Sequence, residues 1–224
     1  MGRYLCLSTV RKTKQYCKIM YRINNRIDNG TVGVLMLGPV NSGRKTQAEK
    51  LVSEYRGHHI STYQLVCTQI DDIPRSNDGL SDEDVFCLTK EYLALHMPTG
   101  IVVLNGWCRT KHQTDMLDKL FVKPEHLIAF SFDIPLTVAQ ERAGLDGRVG
   151  DSEISRRFRF WERNRDDVDH KLRAKGVNVV ELDGCHDPEH IHNSVRGGVV
   201  NHLKALTGLV GVRAPSRHRH PHHA

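Results

Sequence analysis

Two rhythms of apolar residues alternate along this chain. Val32 to Leu37 (VGVLML), Gly100 to Leu104 (GIVVL) and His126 to Phe132 (HLIAFSF) are short, nearly unbroken apolar runs, as strands covered on both faces require. Val177 to Leu182 reads as another strand, and His58 to Thr62 as a short strand and turn. Between these runs the apolar residues recur every three or four positions, the spacing of a half-buried helix. Lys45 to Tyr55 is one such segment, with Ala48, Leu51, Val52 and Tyr55 on its buried face; residues 63–70, 110–121, 135–143 and 151–175 are others. Within the last, Ile154, Phe158 and Trp161 form a stripe that anchors a highly charged helix. Ser81 can cap a helix that begins Asp82-Glu83-Asp84, with Val85, Leu88, Tyr92, Leu93 and Leu95 as its buried set. Asp187-Pro188 suit an N-cap and first helical position, followed by Ile191, Val195, Val199 and Leu203 down one face despite Gly197-Gly198. Residues 71–80, with Pro74 and Gly79, are a polar loop. Strands that alternate with helices predict an α/β fold, a parallel sheet of five strands with helices on both faces.

Composition refines this picture at the ends. The 224 residues suit one α/β domain with short insertions, and no apolar run approaches the ~20 residues of a membrane span. The net charge is +6, yet residues 1–27 hold seven Lys/Arg and no acid, and residues 213–224 three Arg and no acid. Without these ten, 22 basic residues face 26 acidic ones, a net charge of −4. The basic character belongs to the termini, and no nucleic-acid-binding body is expected. Residues 1–30 are a basic extension, either a disordered leader or a mitochondrial transit peptide, or else a segment upstream of a true start at Met20; residues 208–224 are a basic, His-rich tail. Six cysteines without a C-x-x-C pair favour reduced thiols in an intracellular compartment. Cys185, His186, His190 and His192 are weak candidates for a metal site, because the cysteine and first histidine precede a helix cap and the other two face different sides.

Chemistry concentrates after the first strand, in Gly38-Pro39-Val40-Asn41-Ser42-Gly43-Arg44-Lys45-Thr46-Gln47. Glycines five apart between a strand and a helix let the backbone curl so that its N–H groups point inward, and the helix N-terminus adds its positive end. That is a cradle for a phosphate chain, and a hydroxyl at Thr46 suits the magnesium that accompanies a nucleoside triphosphate. Such a loop usually places lysine after the second glycine. Here Arg44, a wide planar fork, takes that place, and Lys45 is turned about 100° round the helix.

With that loop, four further segments resemble the nucleoside monophosphate kinase family, most closely adenylate kinases with the short lid, over roughly residues 31–207. Residues 38–51 (GPVNSGRKTQAEKL) are similar to its phosphate loop, and 59–67 (HISTYQLVC) to its monophosphate-site opening. Residues 79–83 (GLSDE) resemble the start of the helix that follows, and Asn105 to Thr110 (NGWCRT) with Gln113 resemble D-G-F-P-R-T…Q. Glu141-Arg142 through Arg148-Val149, then Asp151 and Arg157, resemble its lid, although an ungapped comparison selects Arg159 as the last arginine. The resemblance implies a P-loop kinase fold with a monophosphate-binding part at about 59–96 and a lid at about 142–157. It implies transfer from Mg-ATP to a nucleoside monophosphate, AMP first among them. Gly38, Asn41, Ser42, Gly43, Arg44, Lys45 and Thr46 would hold ATP, and Thr62, Arg109 and Gln113 the acceptor. Arg44, Arg142, Arg148 and Arg157 would be catalytic, with Thr46 and, weakly, Asn105 near Mg²⁺. A monomeric cytoplasmic enzyme without a membrane partner is implied, or a mitochondrial one if residues 1–27 are a transit peptide.

The departures point elsewhere. Arg44 replaces a lysine, Asn105 an aspartate, Cys67 a phosphate-binding arginine, and Tyr63-Gln64 a Gly-Asp pair. They leave two alternatives open: a catalytically reduced nucleotide-binding protein, or a kinase for another small acceptor.

Overall fold

The structure, a computed structural model, describes residues 31–69, 81–96, 98–121, 123–146 and 150–208. The basic extension, the polar loop at 71–80, the Arg148 position, the Cys67 side chain and the His-rich tail lie outside the described residues. Five strands run parallel: β1 (Val32–Leu37), β2 (His58–Ser61), β3 (Ile101–Asn105), β4 (Leu127–Asp133) and β5 (Asn178–Asp183), in the order β2-β3-β1-β4-β5. The helices between them are α1 (Arg44–Tyr55), α2 (Thr62–Gln69), α3 (Asp82–His96), α4 (Lys111–Met116), α5 (Leu136–Asp146), α6 (Asp151–Ala174) and α7 (Pro188–Thr207).

The apolar strand runs are explained by the two cores they serve. Successive side chains leave a strand on opposite faces. Leu35 and Leu37 of β1, with Val102, Leu104 and Ala129, meet Phe86, Trp107, Met116, Trp161 and Leu172 on one face. Val34 and Met36, with Val103, Ile128 and Phe130, meet Ala48, Leu51, Ile191, Val195 and Val199 on the other. All six residues of β1 are buried, so it is the centre of both layers. Truncating one of these side chains to alanine would cost about 2–5 kcal/mol. Gly198 lies in α7 because a Cβ there would sit 2.7 Å from the Phe130 ring, so the glycine admits the helix to the sheet.

Three expectations are corrected. The helix expected at 110–121 is shorter: α4 ends at Met116 and passes into a 3₁₀ turn at Leu117–Lys119. Leu95 is 73% exposed, because the buried arc of α3 runs through Val85, Phe86, Thr89, Lys90 and Leu93, and Leu95 falls on the opposite side. Cys87 is disulfide-bonded, against the expectation of reduced thiols throughout. Cys108 is free and wholly buried, and burial pushes its thiol up to about 12, which leaves it unreactive.

Candidate active site

The loop after β1 and the loop after β3 emerge from adjacent strands, at the point where the chain's path across the sheet reverses. Open parallel sheets bind ligands in the crevice at such a point. The first loop has the curl that its glycines predict. Gly38, Asn41 and Gly43 all hold positive φ (142°, 59° and 91°). At Gly38 a Cβ would lie 2.8 Å from the Phe132 carbonyl oxygen, so both conformation and space demand glycine. Gly43 caps α1 with no side-chain hydrogen bond, and a Cβ there would meet nothing within 4 Å. Ser42 is 1% exposed, and its Oγ is buried without a hydrogen-bond partner. A buried hydroxyl left unpaired costs about 1–3 kcal/mol, so a ligand that satisfies it gains that much. The donor set (loop N–H groups, a helix N-terminus, a buried hydroxyl) suits phosphate oxygens.

Arg44 opens α1, half-buried beside this cradle. Burial first, and the nearby Arg109 charge second, draw its guanidinium down to about 10, so it remains protonated at neutral pH. Arg44, at the start of α1, and Arg109, after β3, thus lie near enough for each charge to act on the other. Lys45, expected among the phosphate-binding residues, is instead exposed and pairs with Glu49 at 3.6 Å along the helix. Thr46 is exposed in the first turn of α1.

The acceptor-side residues are placed differently from expectation. Arg109 follows Cys108, which holds the left-handed φ of 57° usual for glycine. Its backbone N–H donates to Gln113 Oε1 at 2.8 Å. Gln113, expected to hold the acceptor, is 0% exposed, and its Nε2 donates to Asp82 Oδ1 at 2.7 Å. Thr110 caps α4, accepting from the Gln113 N–H at 3.1 Å, and its hydroxyl donates to Asp82 Oδ2 at 2.7 Å. Gln113 thus ties Arg109 to α3, with both ends of its amide engaged. Thr62 is likewise buried, and its hydroxyl donates to the Gly106 carbonyl at 3.2 Å. Asn105 is half-buried at the end of β3.

Arg142, expected to be a catalytic arginine of the lid, donates from Nη1 to the Asn41 carbonyl at 3.2 Å and from Nη2 to the Gly184 carbonyl at 2.8 Å. Arg157 is half-buried and paired with Glu153 at 2.6 Å. Arg159 is exposed, with its Nε on the Ser155 carbonyl at 3.2 Å. The bonds that Asp82, Gly184 and Asn41 accept have no local signal in the sequence, because they join residues 31, 42 and 101 positions apart.

Gln47 and His192 form a further lock. Gln47 Nε2 donates to the Pro188 carbonyl at 2.8 Å, while its Oε1 meets His192 Nδ1 at 3.2 Å and His192 Nε2 meets Glu54 at 3.0 Å. This fixes α7 against α1 and separates His192 from Cys185, His186 and His190. His186 and His190 stand with ring centres 4.6 Å apart, and His186 is 3.5 Å from Asp183. Among the described residues no group of three His, Cys, Asp or Glu is placed to hold a metal ion.

The five-stranded parallel sheet and the glycine loop at its switch point define a P-loop kinase fold. The solved structure of shikimate kinase from Aquifex aeolicus shares that fold, with a TM-score of 0.50 at 16% identity over 78% of this chain and 99% of that one. Adenylate kinase from Prochlorococcus marinus (strain AS9601) is 30% identical over 138 residues, 56% of this chain and 75% of that protein. Adenylate kinase from Thermus thermophilus is 24% identical over 184 residues, 74% of this chain and 96% of its own length, and that of Leifsonia xyli 29% identical over 169 residues. No protein-family model matches the chain. The chain belongs to the adenylate kinase family, as a divergent member. Among the described residues no helix is long and apolar enough to cross a membrane.

Proposed function

We propose that the chain transfers the γ-phosphoryl group of Mg-ATP to a nucleoside monophosphate, with AMP the leading acceptor. The observation that carries this reading is the curled loop with its unpartnered Ser42 hydroxyl, set beside the Arg44 and Arg109 guanidinium groups. An acceptor phosphate oxygen attacks the γ-phosphorus as the bond to the β–γ bridging oxygen breaks; the ADP leaving group and the new diphosphate carry the charge away. Such a transfer asks for positioning and for cations around a crowded anion. The loop N–H groups, Ser42 and Arg44 hold the donor phosphates, Arg109 holds the acceptor phosphate, and Arg148 and Arg157 close over the transferred group. Thr46 would be the hydroxyl that holds the magnesium accompanying the nucleotide, an ion that would neutralise part of the phosphate charge. Gln113 and Thr62 serve the acceptor indirectly, by fixing the loop that carries Arg109. Phosphorus NMR with Mg-ATP and AMP, CMP, UMP or GMP in separate tubes tests this. Diphosphate that accumulates in one tube identifies the acceptor; four silent tubes overturn the transfer reaction.

A second reading is a nucleotide-binding protein with slow turnover. It is favoured by Arg44 in place of a compact ammonium, by a neutral Asn105, and by Lys45 turned to Glu49. The double substitution Arg44→Lys with Asn105→Asp separates the two. A large rise in rate marks the native chain as catalytically reduced.

A further inference from the structure

We propose that Arg142 is a positioning residue that holds the phosphate loop in its nucleotide-ready shape, and that it does not touch the transferred phosphate. The inference rests on the donor-site reading above. Asn41 stands in the left-handed conformation, which asparagine tolerates better than most residues but which the loop needs it to keep. Helix α5 holds it at two points. The Ala139 carbonyl accepts from Asn41 Nδ2 at 2.9 Å, and Arg142, one turn further along α5, donates to the carbonyl of Asn41 itself at 3.2 Å. The Asn41 carbonyl is thereby held from helix α5.

The other half of the Arg142 fork reaches the Gly184 carbonyl at 2.8 Å, in the turn between β5 and α7. Gly184 is pressed against the same loop: a Cβ there would lie 3.2 Å from the Ser42 carbonyl oxygen and 2.7 Å from Ile134 Cγ2. Its N–H donates to the Asp133 carbonyl at 2.8 Å. One guanidinium therefore spans three chain segments and fixes the outer wall of the phosphate cradle. A planar fork with two separated donors can do this, and a single ammonium cannot. Both Nη groups are spent on carbonyls, an arrangement suited to holding a loop and not to following a moving phosphoryl group.

The test uses the full chain and three substitutions, Arg142→Gln, Arg142→Lys and Gly184→Ala, the last of which strains the same junction from its far side. Hydrogen exchange is read on the nucleotide-free protein, and Mg-ATP affinity by titration calorimetry without acceptor. Arg142→Gln is expected to speed exchange at the amides of 41–44 about tenfold while β1 and β4 stay protected, and to weaken Mg-ATP about tenfold. Arg142→Lys should recover only part of this, and Gly184→Ala should shift both readouts in the same direction. Unchanged exchange and affinity with turnover abolished would make Arg142 a group acting on the phosphate and overturn the proposal, as would three variants all indistinguishable from the native chain. If the native chain fails to bind Mg-ATP the donor-site reading falls, and the exchange rates alone still decide whether Arg142 braces the loop. Should Arg142→Gln not fold, the other two variants carry the same comparison.

Discussion

The two sides of the crevice are built on opposite plans. On the donor side the phosphate loop leaves polar groups unsatisfied: Ser42 Oγ is buried without a partner, and the Gly43 cap offers no side chain to the first turn of α1. On the acceptor side the candidate groups are already committed. Gln113 is bonded to Arg109 and Asp82, and Thr62 to the Gly106 carbonyl. A site with open valences binds a ligand at little cost in reorganisation, whereas a satisfied network must exchange bonds before it can recognise anything. On the proposed function, the contrast means that a phosphate donor would meet a site already open in its resting shape, while acceptor choice would fall to Arg109 and its surroundings.

Four substitutions break or sharpen the contrast. The largest effect belongs to Gly38→Val, which forces a branched side chain into φ 142° with the Phe132 carbonyl 2.8 Å from its Cβ. We expect about 3 kcal/mol of destabilisation and no Mg-ATP-induced rise in Tm. A variant that still binds Mg-ATP like the native chain would show that the loop is not the donor site. Next, Gln113→Leu leaves Asp82 Oδ1 and the Arg109 N–H unpaired, at a cost of about 2–3 kcal/mol. Chemical denaturation should show that loss, with acceptor binding weakened and Mg-ATP affinity kept; equal damage to both ligands would erase the distinction between the two sides.

A smaller effect is expected at Glu153, whose carboxyl is held down at about 2, against an ordinary 4.5, by its hydrogen bond from Arg156 and then by Arg157. Its pKa is lower in the folded chain, so its contribution is present above pH 4.5 and is lost as pH falls toward 2. For this partly exposed group we expect about 1 kcal/mol, and Glu153→Gln should flatten that part of the acid-stability curve. A curve that keeps its shape would remove Glu153 from the ion-pair scheme that neutralises Arg157. The smallest effect is at Leu95, which is exposed on α3: Leu95→Lys should change stability by less than about 0.5 kcal/mol and leave both ligands' binding alone.

The fold was legible because its signals are local. Apolar runs at β1, β3 and β4 and three-to-four spacing in α1, α6 and α7 each follow from a few neighbouring residues, and their alternation dictates a parallel sheet. The curl of the loop after β1 was legible for the same reason, since Gly38 and Gly43 state their backbone needs within six residues. The acceptor side was not. Nothing near Gln113 announces that Asp82 will receive its amide across 31 residues, and the same holds for Arg142 and Asn41 across 101. Leu95 shares the three-to-four spacing of Leu88 and Tyr92, but those two are only partly buried at the margin of the arc, whose centre is set by Phe86 and Leu93.

The position of β1 has a consequence for how the molecule is made. Among the described residues, the first strand to be translated is the middle one of the sheet, and its partners come late: Ile101 pairs with Val32, and Leu127 with Gly33. At about 5–20 residues per second, the segment VGVLML waits several seconds for its first neighbour and longer for its second. During that interval it is an uncharged, fully apolar ribbon with both edges bare, attractive to chaperones and to other nascent copies. The loop proposed to cradle phosphates is thus begun early in synthesis, and its setting is completed only after β3 and β4 have been translated on either side of β1.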